Sequence, residues 1–402
     1  MNTNKKNPSR IDYGLILTIM LLALISFIAL SSAQSTGQYK VNFVVEQAKW
    51  YFISIMAIGL FMQLDAEQMR KVSKYIYLIG AICLIVLLVA PATKFTPVRN
   101  GAQLWFVFPG IGQIQPSEFM KIATIMYTSN IIVNHHEKYI VKTVKSDVIL
   151  LIKQCMAIGL PIALLIKEDL GTALVFMAIA LGMIVVSGVT WKLLFPLLSS
   201  FTLLAGTVFY LAIWQRPLME KIGVENYQFL RLDSWLDPYS YRQGAGMHLV
   251  NSLEAIGSGM TTGKGFGNRE VYIPESHTDF IFSTIGEEFG FIGGSILISV
   301  FFLLIYQITR RGLDTKIPFY TYFCVGFIAS ISFHVFQNIG MTIQLLPITG
   351  IPLPFISYGG SSLLSTMLGV GVLLSIRYHY KVYMFSSEED EQLKEYQKRS
   401  RS

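Results

Sequence analysis

Apolar residues run through this chain in long blocks, with polar residues gathered into short breaks between them. Ten blocks, at about 12–33, 47–64, 74–92, 117–134, 148–166, 170–188, 193–214, 279–308, 317–346 and 355–377, are each long enough to cross a hydrocarbon core about 30 Å thick as a helix rising about 1.5 Å per residue. Backbone in lipid must satisfy its own hydrogen bonds, so the pattern predicts an all-α polytopic membrane protein with about ten transmembrane helices. The first block is too long for the core of a signal peptide, and a second follows within about fifteen residues, so it is read as retained. The expected organisation is a single integral membrane domain over 1–385, with a large extracellular loop at about 215–278, and a charged cytoplasmic tail over 386–402. A second polar break, 93–116, is too aromatic for a free loop and is expected to lie in the membrane interface, with Trp105 at headgroup depth.

Composition agrees, with 52% hydrophobic and 14% charged residues. The net charge of +7 matters less than its distribution. Placing the N-terminus inside puts Lys5, Lys6, Arg10, Arg70, Lys71, Lys74, Lys138, Lys142, Lys145, Arg310, Arg311 and Lys316 on the cytoplasmic side, as positive residues resist translocation. Both termini then face the cytoplasm, and the tail, with Lys394, Lys398, Arg399 and Arg401, is either solvated or laid on anionic lipid. Cys83, Cys155 and Cys324 fall inside apolar blocks without metal-ligand spacing and read as small core residues. There is no P-loop, no zinc-type histidine pair and no nucleophile elbow, which argues against ATP hydrolysis.

Four groups of polar residues stand out. Asp279 ends the long loop at the start of a very apolar block, where a carboxylate caps a helix or serves as a base at the membrane surface. Its company is Pro274, Glu275 and His277 before it and Glu287 and Glu288 after it, and acids at membrane depth cost roughly 2.5–3.5 kcal/mol unless partnered or functional. Glu118 and Lys121 follow Pro116 three residues apart, on one helix face, as an ion pair or as site residues. Lys167-Glu168-Asp169 reads first as a solvated turn. The run from Gln337 and Asn338 through Pro347, Pro352 and Pro354 to Ser357-Tyr358-Gly359-Gly360-Ser361-Ser362 cannot remain helical throughout, so it is a broken stretch lining a cavity or, at its serine end, a close helix crossing. Together these describe a polar cavity at the outer face, walled by apolar helices and suited to a lipid with a charged, sugar-bearing head.

At these residues the sequence resembles the SEDS family (shape, elongation, division and sporulation) of RodA, FtsW and SpoVE proteins. The resemblance rests on Asn100-Gly-Ala, Trp105, Gln115-Pro-Ser-Glu-Phe-Met-Lys121, Asp169-Leu-Gly-Thr-Ala173, Ala255-Ile-Gly-Ser-Gly259, Pro274-Glu-Ser-His-Thr-Asp-Phe-Ile-Phe282, Gly286-Glu-Glu288 and the run from Leu346 to Ser362. It implies a ten-helix peptidoglycan glycosyltransferase that polymerises lipid II in the bacterial cytoplasmic membrane beside a class B penicillin-binding protein, a transpeptidase; no nucleic-acid partner is expected. It implies Asp279 as the catalytic residue. Glu118, Lys121, Trp105, Arg99, His277, Ser357 and Ser362 are the expected substrate-binding positions, with Lys121 and Arg99 assigned to the pyrophosphate, and Glu287, Glu288 and Asp169 as further functional residues. No cofactor is required by this reading, and a divalent cation, Mg or Mn, is left open. The chain departs from the family pattern at Gln103 and Leu104, where a basic residue is common, and at Glu168, where proline is common. His334-Val-Phe-Gln-Asn-Ile-Gly-Met341 looks more like the RodA branch, which serves elongation and cell shape, than the FtsW branch of the septum. The competing readings are a lipid II flippase, in which Glu287 or Glu288 would be essential, and a scaffold that only activates its partner.

Overall fold

The computed structural model describes residues 11–35, 41–99, 101–109, 112–221 and 226–385. The expected tail over 386–402 and Asn100 of the Asn-Gly-Ala motif lie outside the described residues. Helices α1 (Tyr13–Ser35), α2 (Phe43–Met62) and α3 (Ala66–Val89) are followed by a two-stranded ribbon, β1 (Phe106–Phe108) and β2 (Gly112–Ile114). Then come α4 (Pro116–Lys138), α5 (Val144–Leu165), α6 (Leu170–Val186) and α7 (Trp191–Trp214), the short α8 (Arg216–Lys221), α9 (Asn226–Leu236) and α10 (Met247–Ser258), and finally α11 (Ile281–Asp314), α12 (Pro318–Thr342) and α13 (Gly360–Phe385).

The ten apolar blocks correspond in order to α1–α7 and α11–α13. Eight of these helices are long and apolar enough to cross a membrane on their own. The other two are α6, which is 17 residues long, and α4, which carries Glu118, Lys121, His135 and His136 and buries most of its surface in the bundle. The protein is thus an all-α multi-pass membrane protein. Central α12 packs on α4, α6 and α11, while α13 packs on α2 and α1 on α11. Of α7 only Leu194 is buried.

The segment 93–116, too aromatic for a free loop, folds back as the β1–β2 ribbon, with Phe106 opposite Ile114. Within the long loop, α10 packs on α11, since Leu249, Val250 and Ala255 give it an apolar face. Two expectations need correction, the helix bounds and the burial of Cys155. Helix α11 starts at Ile281, two residues after Asp279, and α12 stops at Thr342, because Gln344 takes a left-handed φ of 61° and Pro347 follows. Cys155 is exposed on α5, whereas Cys324 is buried.

The acids at depth have partners. Glu287 is fully buried, and its Oε1 accepts from Lys264 Nζ at 2.9 Å, from the Glu270 amide at 2.9 Å and from the Val271 amide at 3.2 Å. Glu288 accepts from Ser32 Oγ on α1 and from the Gly267 amide at 3.2 Å, with Arg269 Nε 3.8 Å away. The same loop enters the backbone of α11 where Gly290 breaks it at φ 62°, ψ −158°. There the Phe291 and Ile292 amides donate to Met260 and Thr261 carbonyls at 2.9 and 3.1 Å, restoring bonds the kink removes. At the opposite end of the bundle, Asp12 binds Arg311 at 2.5 Å and Arg377 at 3.3 Å, joining α1, α11 and α13.

A methyl group at Gly290 would sit 2.4 Å from the Gly263 nitrogen and 2.7 Å from the Thr261 carbonyl carbon, in a conformation that side chains rarely adopt. Gly290→Ala is therefore expected to cost about 2 kcal/mol or more. Thermal unfolding in detergent checks this, with Gly206→Ala on α7, where the added carbon meets nothing within 4 Å, unchanged by comparison.

Candidate active site around Asp279

The segment between α10 and α11 turns tightly. Glu275 holds a left-handed φ of 56°, and its carbonyl accepts from the Thr278 and Phe280 amides at 3.1 and 3.2 Å. Its carboxylate accepts from Thr278 Oγ1 at 2.8 Å. The turn is then clamped to the broken stretch between α12 and α13. The Tyr358 amide donates to the His277 carbonyl at 2.9 Å, Ser357 Oγ to the Thr278 carbonyl at 2.6 Å, and Asn338 Nδ2 to the carbonyls of Asp279 and Ile351, each at 2.8 Å. Three successive carbonyls leading to the Asp279 side chain are thus held by fixed donors.

The carboxylate of Asp279 itself accepts no hydrogen bond among the described residues. The N-cap of α11 is Phe280, with no side-chain cap bond, so Asp279 is not a capping acid. It is half-buried, and Gly350, with φ 73°, lets the broken stretch pass so close that a β-carbon there would lie 3.3 Å from Oδ2. Burial, helped by the charges of Glu275 and Asp169 and opposed by Arg231, raises its pKa to about 7. It can therefore take up and give back a proton near neutrality.

The other expected positions fall into two groups. In the first, which keeps some exposure or lies on the turn before Asp279, Asp169 caps α6 by accepting from the Thr172 amide at 2.9 Å and Thr172 Oγ1 at 2.7 Å, and it also accepts from Gln115 Nε2 at 3.3 Å. The turn at 167–169 is therefore tied to α4 at its last residue, not simply solvated. Arg99 is exposed and donates to Gln113 Oε1 at 2.8 Å, and Trp105 is half-buried just before β1. His277 stacks on Phe43 at 4.1 Å between ring centroids, and burial lowers its pKa, which keeps the ring neutral at physiological pH.

The second group holds the frame. Lys121 is buried, 4% exposed, and its ammonium lies 2.9 Å from Glu118 Oε2 and 2.9 Å from His334 Nε2. His334 Nδ1 is 3.2 Å from the Pro352 carbonyl, which makes Nδ1 the donor and Nε2 the acceptor from lysine. This is the ion-pair alternative for Glu118 and Lys121, extended from α4 to a second helix, α12. Ser357 is committed to the backbone of the turn, and the Leu353 amide donates to it at 2.9 Å. Half-buried Ser362 lies beside Ser361, and the latter does the stitching, accepting from the Gln115 amide at 3.0 Å and donating to the Gln113 carbonyl at 3.1 Å.

Asn338, Gly350 and Ser361 complete the site from within the broken stretch that the sequence marks as a whole, without a role for any of the three, and Arg231 comes from the long loop, likewise without a role read from the sequence. Among the described residues no group of three or more His, Cys, Asp or Glu side chains converges as metal ligands, so the donor set offers no protein-only cage for a divalent ion and no step below runs through one.

The chain has known relatives in both sequence and fold. The sequence is similar to stage V sporulation protein E of Bacillus subtilis, 32% identical over 390 residues, covering 94% of this chain and 98% of that protein. It is 31% identical to the probable peptidoglycan glycosyltransferase FtsW of Lactococcus lactis, covering 94% of each, and 30% identical to the peptidoglycan glycosyltransferase MrdB of Escherichia coli, covering 95% of this chain and 98% of that protein. The fold is similar to that of the rod shape determining protein RodA of Thermus thermophilus, with a TM-score of 0.65 at 24% identity over 92% of this chain and 97% of that one. It also matches a chain solved in a study of polymerization and crosslinking by a peptidoglycan synthase complex, with a TM-score of 0.73 at 24% identity over 91% of this chain and 97% of that one. With residues 10–382 matching the family of FtsW, RodA and SpoVE proteins described as "Cell cycle protein", the chain belongs to the SEDS family.

Proposed function

We propose that this protein is a peptidoglycan glycosyltransferase that polymerises lipid II, the undecaprenyl-pyrophosphate-linked disaccharide pentapeptide, at the outer face of the bacterial cytoplasmic membrane. Asp279 then faces outward and both termini face the cytoplasm, as the positive charges of the loops favour. The names of the relatives support the activity. The observation that carries the site is the Asp279 carboxylate, clamped through its backbone, free of hydrogen bonds among the described residues and raised to about pKa 7.

In this reading Asp279 accepts the proton of the acceptor sugar's 4-hydroxyl as that oxygen attacks the donor's anomeric carbon. The new C–O bond forms as the bond to pyrophosphate breaks on the opposite face, giving inversion. Pyrophosphate leaves as an anion without protonation, so one base suffices and no second carboxylate is needed. Lys121 is held by Glu118 and His334, so the negative charge of the leaving group falls to exposed Arg99 and to Arg231, whose charge is felt at Asp279.

The flippase alternative is weakened by the same geometry. The acids it would need, Glu287 and Glu288, are engaged by the 264–271 segment and by Ser32. The partner in this reading is a class B penicillin-binding protein that crosslinks the strands. The branch is the elongation one, on the strength of the stretch from His334 to Met341; similar identities to sporulation, FtsW and MrdB proteins do not separate the branches.

Asp279→Asn is expected to abolish polymer formation from purified lipid II, measured by gel separation of the glycan products, with or without the partner transpeptidase; polymer made by the variant would overturn the assignment. In the wild type, kcat falls as pH drops through about 7, because protonation of Asp279 removes the base. Stability runs the other way. The folded-state pKa lies above the ordinary 3.8, so the folded state binds the extra proton between 3.8 and about 7 and loses stability as pH rises through that window. Asp279→Asn should thus gain thermal stability over the wild type at pH 8 and gain less at pH 5. Depletion in the source bacterium should round the cells; filaments with failed septa would assign the division branch instead.

A further inference from the structure

Beside the contact between Gln115 and Asp169 lies a cavity of about 200 Å³, set between α3, the start of α4, the end of α5 and the segment before β1. One side is apolar, with Leu84, Leu87 and Leu165; the other carries Gln103, Ser117 and Glu168. The hydroxyl of Ser117 is buried and has no hydrogen-bond partner among the described residues. Gln103 donates its amide to the Ala90 carbonyl at 3.2 Å, and its amide oxygen accepts no hydrogen bond among the described residues. Half-buried Glu168 makes no ion pair or side-chain hydrogen bond among the described residues. Three acceptors therefore line one small cavity that contains no cation of its own.

We propose that this cavity binds a primary ammonium carried on a short apolar stem. An ammonium has three donors and no acceptor, which matches the amide oxygen, the hydroxyl and the carboxylate, and its methylene stem covers the leucines. An anion is repelled by Glu168, and a plain hydrocarbon tail would leave the carboxylate and the Ser117 hydroxyl desolvated without partners. The volume is below the roughly 300–1,000 Å³ of pockets that enclose whole ligands, so the cavity takes one group of a larger amphiphile. Two sources carry that group: the side-chain amine of a dibasic residue in the peptide of the lipid-linked substrate, and the aminoethyl head of a phospholipid. The first rests on the function proposed above and makes Glu168 a specificity residue for the peptide; the second does not depend on it.

Binding, not turnover, tests the site. The full-length protein in detergent is titrated with fluorescent lipid II bearing a free side-chain amine and with the same probe N-acetylated. Acetylation is expected to weaken binding to the wild type about tenfold, as for loss of one charge-assisted contact, and Glu168→Gln to bind both probes alike at the weaker value. In a second arm, the protein in phosphatidylethanolamine or phosphatidylcholine nanodiscs is examined by native mass spectrometry; if the phospholipid is the source, the wild type retains the ethanolamine lipid and Glu168→Gln does not. Lys167→Gln, exposed on the same turn, controls for net charge and should behave as wild type in both arms. Discrimination in either arm that Glu168→Gln removes supports the site and names its source. Indifference of both proteins in both arms overturns it and leaves a water-filled cavity. Amine discrimination in a protein that makes no polymer would overturn the proposed function while leaving the site standing.

Discussion

The structure depends on a stretch of backbone that cannot be helical and is nevertheless buried among helices. Between Thr342 and Gly360 the prolines remove amide donors and turn the chain, and each carbonyl they free must find a partner inside the protein. Side chains from three helices supply those partners. Ser26 of α1 donates to the Ile356 carbonyl at 2.7 Å, Gln47 and Tyr51 of α2 to Ser357 and Phe355 at 3.2 and 2.7 Å, and Gln337 of α12 to Pro347 at 2.9 Å. The polar residues Ser26, Gln47, Tyr51 and Gln337 on otherwise apolar helices are thus accounted for by the carbonyls they satisfy.

Asp279 inherits its rigidity from that solution. Asn338 spans the broken stretch and the turn before α11, and Ser357 and Tyr358 reach across to the same turn. A carboxylate on a free loop would turn toward water and ionise at its ordinary value. Here the backbone is held on both sides, Gly350 lets the chain close over the side chain, and the acid is left with raised proton affinity and no hydrogen-bond partner among the described residues.

The contrast with the other buried acids is the strongest functional argument in the molecule. Glu118, Glu287 and Asp12 each meet a cation within hydrogen-bond distance; the Asp12 pairs join elements distant in the chain, and Lys121 carries the Glu118 pair on to His334 of α12. Removing a partner from such a pair strands a charge, so these residues hold the frame. Among the described residues the Asp279 carboxylate meets no cation within hydrogen-bond distance and accepts no hydrogen bond, and a base has to be left accessible to its substrate.

The long apolar blocks alone determined the class of the protein, because a membrane-spanning backbone has so few solutions that length and apolarity suffice to place the helices. They also placed the break after α12, since prolines and glycines cannot continue a buried helix whatever surrounds them, and the motif around Asp279 pointed to the candidate site. Tertiary structure decided which polar residues are tools and which are fasteners. The sequence leaves Glu118 and Lys121 open between an ion pair and a site role, and only packing shows that their polar atoms meet each other and His334, while Ser357 meets the backbone. Gly350 and Ser361 lie in a run the sequence marks as broken, but their individual contacts exist only once segments far apart in the chain have met. Spacing along a chain records periodicity within one element, whereas burial, partner choice and proton affinity are properties of the space between elements.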